Sequence, residues 1–412
     1  MRIQALTIGL VMLVVSSSWG QTLYSFRKTL EQVRQSNPTL RLQNLDVAAT
    51  QSDEITAGLK SNPFLNNQTL FQLSPRHLPN DGTFLSRQNR QFWLQLTKEF
   101  DIYGKRSRRV SLAQGLTQLS ANNVKETSRN VLRDAALLWL DAWYASTKVT
   151  LLEQTQINLD SLVYLNRVRL RNQVVSTTDL TRTEVLSTQN ALQLRTARQL
   201  YRNELSELTI QMGQPDSIQL DINDPVLSPF SVDSLLTYSQ NQRSDVLAAR
   251  SGLEAANRNR ELQQVLAKPA NEMGAIWNPQ NAIPYAGVFL TFELPVFSRN
   301  QGEIQKSKIL QQQAQDQLTF LQKRISVELR NALTSFQNHQ RTLQQYEQLL
   351  LQSDKVLASV RYAYLKGATT LVDYLEAQRT WYDTRQTYYD ALFEYRKSFV
   401  DVLYSSGLIS QW

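Results

Sequence analysis

Between Val124 and Leu170 the apolar positions recur in steps of four and three without a break. The ladder is Val124, Ser128, Val131, Ala135, Leu138, Ala142, Ala145, Val149, Leu152, Gln156, Leu159, Val163, Asn166 and Leu170, and eleven of the fourteen are apolar. Such an a/d seam predicts a helix that must pair along its length. A second ladder runs Leu318, Leu321, Ile325, Leu329, Ala332, Phe336, His339, Leu343, Tyr346, Leu350, Ser353, Leu357, Val360 and Tyr364, with one slip after Ile325. No proline interrupts Lys105 to Gln173 or Gln301 to Lys366. Each stretch therefore predicts one helix, roughly 100 Å long at about 1.5 Å per residue. Short polar turns follow, and then further helices over Thr178 to Met212 and Leu371 to Tyr404, which must return antiparallel.

The period changes before each long helix. Phe92, Leu94 and Leu96 alternate with Trp93, Gln95, Thr97 and Glu99, and Val288, Leu290, Phe292 and Leu294 alternate with Phe289, Thr291 and Glu293. One apolar and one mostly polar face over about ten residues fits a transmembrane barrel strand, or equally a soluble sheet with one buried side. Leu65 to Leu73 and Ala270 to Asn278 are the expected partner strands, with outward loops at Ser74 to Arg90 and Pro279 to Pro284. Four strands cannot close a membrane barrel, so the membrane reading demands oligomerisation.

The chain is written twice. Leu94 to Arg106 matches Val288 to Asn300, and Ser176-Thr-Thr-Asp179 matches Thr370-Leu-Val-Asp373, both at a shift of 194 residues. Two matches in one frame imply duplication of everything between them. The expected organisation is a leader over 1–20, a first repeat over 21–213, a linker over 214–230 with Pro215, Pro225 and Pro229, and a second repeat over 231–412. The expected fold class is mainly α with membrane β.

Composition narrows the chemistry. Arg2, the apolar stretch Ile3 to Val15, and the small residues Ser18 and Gly20 form an export signal with cleavage expected before Gln21. The absence of cysteine removes disulfides, thiolate metal sites and the residue that lipid acylation needs. The net charge of +8 is dispersed, and no basic run is longer than Lys105-Arg106-Ser107-Arg108-Arg109, so a nucleic-acid partner is not expected. Only His77, in an outward loop, and His339, on the second seam, carry imidazole; packing is the expected role of His339. No nucleophile–base constellation points to an enzyme, and no cofactor or metal site is expected.

Ser36-Asn-Pro-Thr-Leu40, Ala57-Gly-Leu-Lys-Ser-Asn-Pro63, Phe100-Asp-Ile-Tyr-Gly-Lys-Arg106, Arg243-Ser-Asp-Val-Leu247, Leu294-Pro-Val-Phe297 and Tyr364-Leu-Lys-Gly-Ala-Thr-Thr-Leu-Val-Asp373 carry a resemblance when taken in this order and with this duplication. The chain resembles the TolC-type outer-membrane factors, the exit ducts of tripartite efflux pumps and type I secretion systems. The resemblance implies a homotrimer with a 12-stranded β-barrel in outer-membrane lipid and an α-helical barrel in the periplasm. It also implies hairpin tips engaged by a periplasmic adaptor and an inner-membrane transporter. The Gly104-Lys105-Arg106 variant resembles the branch paired with heavy-metal pumps of the resistance–nodulation–division type.

By the same resemblance, Asp373 and Glu376 match acidic residues lining the closed entrance, where threefold symmetry would gather six carboxylates. Asp373 is equally placed to cap a helix. Tyr364 and Asp179 match a pair that latches one hairpin to the other, with Thr369 standing where the family often has a basic residue; Tyr364 also fits the seam. Val174, Val175 and Ser176 on one tip, with Gly367, Ala368 and Thr369 on the other, are the expected adaptor contacts. Gly367 suits a chain reversal, whereas the corresponding Gln173 leaves the first tip's backbone open. Trp93, Trp277 and Tyr285 are the expected aromatic girdle, while Trp139 and Trp143 are expected to pack.

Two other readings remain: a type I secretion duct, and a periplasmic coiled-coil adaptor. An adaptor would carry one helical hairpin between glycine-rich β-domains, whereas this chain has two hairpins and 13 glycines.

Overall fold

The computed structural model describes residues 23–73, 90–214, 218–223, 232–279 and 284–412. The expected leader, His77 with its loop, parts of the linker, and the centre of the 279–284 loop lie outside the described residues. The element order is itself doubled. β1 (Leu23–Tyr24), α1 (Phe26–Ser36), α2 (Pro38–Gly58), β2 (Phe64–Phe71), β3 (Arg90–Glu99), α3 (Lys105–Arg171) and α4 (Thr177–Gln211) make one pass. β4 (Gln219–Leu220), α5 (Val232–Gln242), α6 (Ser244–Leu266), β5 (Asn271–Asn278), β6 (Tyr285–Phe292), α7 (Gln301–Leu365) and α8 (Leu371–Ser406) make the second, closed by a 3-10 turn at Leu408–Gln411. The helices that return after the two tips start 194 residues apart (371 minus 177), but the long helices start 196 apart (301 minus 105). The frame read from sequence therefore holds at the tips and slips by two below them.

None of the fourteen seam positions on α3 is exposed, nor any of the fourteen on α7. The returning helices cover only part of this length, since α4 has 35 residues against 67 in α3. By contacts the chain forms two compact units, 1–35 with 135–227 and 343–396, and 36–134 with 228–342 and 397–412. Each draws on both repeats, so the duplication is a property of the chain and compactness is not.

In the first unit, Leu152 of α3 packs on Leu194 and Ala197 of α4. Trp139 and Trp143 are buried, as expected. Their ring N–H groups donate to the carbonyls of Tyr24 (3.2 Å) and Ile222 (3.1 Å), which flank a small parallel sheet of β1 and β4. The segment read as a linker is thus partly structured: Ile218 and Leu220 are buried, and β4 pairs with β1. Prolines around a two-residue strand hid it from a composition-based reading.

In the second unit, Val246 of α6 meets Leu318 and Ile325 of α7, and Leu235 of α5 meets Leu329, Ala332 and Val402. Arg129 and Arg243 are each only 2% exposed. Arg129 binds Glu126 (2.7 Å) and Asp245 (3.4 Å) and donates to the Tyr404 carbonyl (3.0 Å). Arg243 binds Asp245 (2.7 Å) and Glu328 (3.1 Å) and donates to the Ser405 carbonyl (2.8 Å). Two cations thus satisfy carbonyls at the C-terminal end of α8, where the helix dipole favours positive charge.

The same unit holds an antiparallel sheet in the order β2-β3-β5-β6. Its register places Leu65, Phe92, Leu94, Leu96, Met273, Ala275, Trp277, Val288, Leu290 and Phe292 on one face. Asn66, Gln68, Gln95, Thr97, Glu99, Glu272 and Thr291 share the other with Phe64, Leu70, Ile276 and Phe289; the predicted alternation is clearest on β3 and β6, whereas on β2 Asn67 and Thr69 fall on the apolar face. The apolar face is uncovered, and Val288 is 83% exposed. The girdle residues separate: Trp277 lies on the apolar face, whereas Trp93, one residue from Leu94, and Tyr285, paired with Asn278, lie on the other. Similar height along a strand does not fix the face, because side chains alternate at every residue. No described helix is long and apolar enough to cross a membrane.

Gly274 lets the sheet close. A Cβ there would lie 2.4 Å from the Phe289 ring and 2.7 Å from the Leu96 carbonyl oxygen. The ring of its cross-strand partner Phe289 covers the bare backbone instead. Gly274→Ala is expected to destabilise the protein by about 1–3 kcal/mol through overpacking, read as a lower midpoint in thermal unfolding.

Candidate functional site: the two hairpin tips

The tips are built from the helix ends upward. Both long helices end in a left-handed residue, Gln173 (φ 59°) and Gly367 (φ 75°). At the first, the Gln173 N–H donates to Leu170 (2.9 Å) and the Val174 N–H to Arg169 (2.9 Å); at the second, Gly367 donates to Tyr364 (3.1 Å) and Ala368 to Ala363 (2.9 Å). These are paired Schellman closures. Gln173 therefore takes the same backbone as Gly367, which answers the question its side chain raised. Exposed Val174, Ser176, Gly367 and Ala368, with half-buried Val175 and Thr369, form the turns.

The returning helices start alike. Ser176 caps α4 in a reciprocal box: the Asp179 N–H donates to Ser176 Oγ (3.1 Å) and the Ser176 N–H to Asp179 Oδ2 (3.2 Å). Thr370 and Asp373 repeat it (3.2 and 3.1 Å), and the Thr369 and Thr370 hydroxyls donate to the same carboxylate at 2.8 and 2.7 Å. Hydrogen bonds from Thr370 and then Thr369 hold the Asp373 carboxyl below its ordinary range. Asp373 thus works as a helix cap in the isolated chain, and Thr369, in place of a basic residue, feeds that cap. Glu376 is exposed and has no hydrogen bond or ion pair among the described residues.

Tyr364 and Asp179 do not meet in the geometry of this chain. Asp179 is committed to its own cap. The buried Tyr364 hydroxyl donates instead to Asn166 Oδ1 (2.7 Å), and its ring stacks on Tyr374 at 5.3 Å. The Asn166 side chain in turn donates to Thr183 Oγ1 (3.5 Å), which makes a buried polar layer inside the seam. Arg169 completes the clasp: its guanidinium lies 4.7 Å over the Tyr364 ring and donates to the carbonyls of Tyr364 (3.3 Å) and Leu365 (3.2 Å). A cation from the first hairpin thus satisfies the last carbonyls of α7. Sequence reasoning missed Asn166 and Arg169. The available signal was a polar residue at an a/d position, a place where buried amides often fix register.

Residues 235–405 match the family model described as outer membrane efflux protein. No curated protein matches the chain in sequence. Among solved structures, the chain is similar to CusC, which forms a transmembrane channel (TM-score 0.75, 17% identity, 94% of this chain and 93% of that one). It is similar also to the outer membrane channel CmeC of Campylobacter jejuni (TM-score 0.74, 15% identity, 99% and 93%). The MtrE outer membrane channel of Neisseria gonorrhoeae, solved in its open state, matches too (TM-score 0.73, 17% identity, 93% and 88%). At such identities these likenesses carry the fold, which is that of the TolC-like channels.

Two measurements test the tips. Gln173→Gly is expected to stabilise the chain by about 1 kcal/mol or less, because it relieves a left-handed side chain while loosening the unfolded state; a lower denaturation midpoint would contradict the Schellman assignment. Because the Asp373 carboxyl is lowered, its capping contribution is present above the ordinary carboxylate range and lost as pH falls through the lowered value. Hydrogen exchange at the start of α8, corrected for intrinsic rate, is expected to quicken over that acid window, and Asp373→Asn to abolish the dependence.

Proposed function

We propose, from the match of residues 235–405 to the outer membrane efflux protein family model, that the chain is the passive exit duct of a tripartite efflux pump. The observation that carries the proposal is the sheet. It has a mostly apolar face left uncovered, and its outer strands β2 and β6 have no further neighbour among the described residues. An apolar face of this size in water invites aggregation, and so do two open edges. Lipid satisfies the face, and strands from other copies satisfy the edges. Three copies supply twelve strands, within the range of membrane barrels. The polar face, with Gln68, Gln95, Thr97, Glu272 and Thr291, then lines water.

The duct performs no chemistry; energy comes from the partners. An adaptor docks on Val174, Val175 and Ser176 of one tip and on Gly367, Ala368 and Thr369 of the other. The transporter is of the resistance–nodulation–division type, a pairing supported by the Gly104-Lys105-Arg106 variant. The closed entrance is held by the Asn166–Tyr364–Arg169 clasp rather than by Tyr364 and Asp179, and opening requires the end of α7 to leave Arg169. Glu376, exposed one turn beyond the cap, and Asp373 supply the carboxylate field of the entrance.

The architecture is tested by native size in detergent: a trimer is expected, and a strict monomer would contradict the barrel. In planar bilayers, Arg169→Ala is expected to raise open-channel conductance or open probability about fivefold, the change that corresponds to about 1 kcal/mol for a lost hydrogen bond. Glu376→Gln is expected to reduce cation selectivity without disturbing the Asp373 cap; unchanged selectivity would remove Glu376 from the pore.

A further inference from the structure

Chain direction brings both strand ends to one edge of the sheet. β3 and β6 each run antiparallel to β5, so they run in the same direction, and Glu99 and Thr291 both stand opposite Glu272. The chain leaves both strands through a short apolar segment, Phe100-Asp-Ile-Tyr103 and Leu294-Pro-Val-Phe297. Phe100, Ile102, Tyr103, Leu294 and Val296 are all exposed, and Phe297 is 93% exposed. Ile102, Leu294, Val296 and Phe297 are each more than half exposed, and together with the partly covered Phe100 and Tyr103 they form an apolar patch in water.

Beside the first segment lies a cavity of about 410 Å3 lined in part by Lys60, Lys98, Arg106 and Arg109. None of these four cations forms an ion pair among the described residues. Two carboxylates share the lining, Glu99 and Asp101, and Asp101 is occupied in accepting the N–H groups of Lys105 (2.7 Å) and Arg106 (2.6 Å). Lys98 faces Met273 across the sheet and so stands at the foot of the apolar face, in the row of Met273 and Leu290. A lysine there can lay its stem along apolar surface and carry its charge to the edge of a bilayer.

The start of α3 carries an excess of positive charge that its own capping carboxylate, Asp101, only partly balances. The first turn of α3 holds no acidic residue, and Lys105, Arg106, Arg108 and Arg109 crowd its start, whereas α7 has Glu303 in its first turn. Cations at the positive end of a helix dipole destabilise it. Asp101 offsets this in part, through its bonds to the Lys105 and Arg106 N–H groups and its charge near Arg109, and Arg108 is paired with Glu261; Arg106 and Arg109 line the cavity.

We propose that this collar is a binding site for an acidic phospholipid. The phosphodiester lies among Lys60, Lys98, Arg106 and Arg109, and Phe100, Ile102 and Tyr103 reach the acyl chains. A lipid surface is favoured over a protein partner because the collar lies at the end of the sheet's apolar face, with Lys98 between Leu96 and Phe100, and its charge complements an anionic headgroup. The proposal rests on reading that sheet as membrane-spanning.

The test titrates phosphatidylglycerol and phosphatidylcholine separately onto the delipidated full chain in detergent, with bound lipid counted by native mass spectrometry. Phosphatidylglycerol is expected to bind more tightly, and rising salt to erase the difference. Lys60→Gln, Lys98→Gln and Arg109→Gln are each expected to weaken phosphatidylglycerol roughly fivefold, the fold-change of about 1 kcal/mol per cation near an anionic surface. Lys98→Arg is expected to restore it, which keeps the test valid should a glutamine variant fold poorly. Equal binding of the two lipids, or glutamine variants that keep the preference, would overturn the site. Competition by inorganic phosphate alone at comparable concentration would overturn it as a lipid site. Insertion of the protein into phosphatidylcholine bilayers is measured alongside. A chain that fails to insert contradicts the membrane reading itself, whereas one that inserts but shows no lipid preference contradicts only the collar.

Discussion

A helix of 67 residues has little stability of its own in water beyond what its covered stripe provides. Everything else in this chain follows from the need to cover two such stripes. The seam on α3 is never exposed, yet its returning helix is about half as long, so the remainder must be covered by other helices. In the second unit the α7 stripe is covered by α6, α5 and the end of α8, and that end of α8 is pinned by Arg129 of α3 and by Arg243. In the first unit the cover comes from α4 and α8. This is why each compact unit draws on both repeats, although the duplication runs along the chain.

The polar groups set within this apolar framework carry the specificity. Removing one arginine of the Arg129–Arg243 knot would leave buried carboxylates and helix-end carbonyls without partners, a larger loss than the pair's net worth. At the tips, Asn166 interrupts the seam with a buried amide that accepts from Tyr364 and donates to Thr183. Such a layer costs stability relative to leucine but fixes which residues meet. Arg169 can be released without unpacking a core, because only carbonyls and a ring face hold it.

The sheet is built for a different solvent. Its strands β3 and β6 alternate as those of a soluble sheet would, but nothing in the described chain covers the apolar face, and the segments leaving β3 and β6 continue that exposure. Lys60, Lys98, Arg106 and Arg109 at its foot form no ion pair among the described residues. The match of residues 235–405 to the outer membrane efflux protein family model gives these uncovered surfaces their context.

Much of this was determined by the sequence alone, because local periodicity is set by local geometry. A step of four and three can only be a helix with one buried stripe, and a step of two can only be a strand with two unlike faces. The two seams, the doubled order, the tip positions and the face pattern of the sheet are therefore legible without coordinates. What only the tertiary structure decided depends on residues distant in sequence. Asp179 is drawn into its own helix cap, which leaves Tyr364 to Asn166 and Arg169. Trp93 and Tyr285 fall on the face opposite Trp277 once cross-strand register is fixed. Proline-flanked β4 gains its partner from β1, nearly two hundred residues away. Periodicity names the face a residue occupies on its own element; which partner lies across from it is settled by competition for hydrogen bonds and burial in three dimensions.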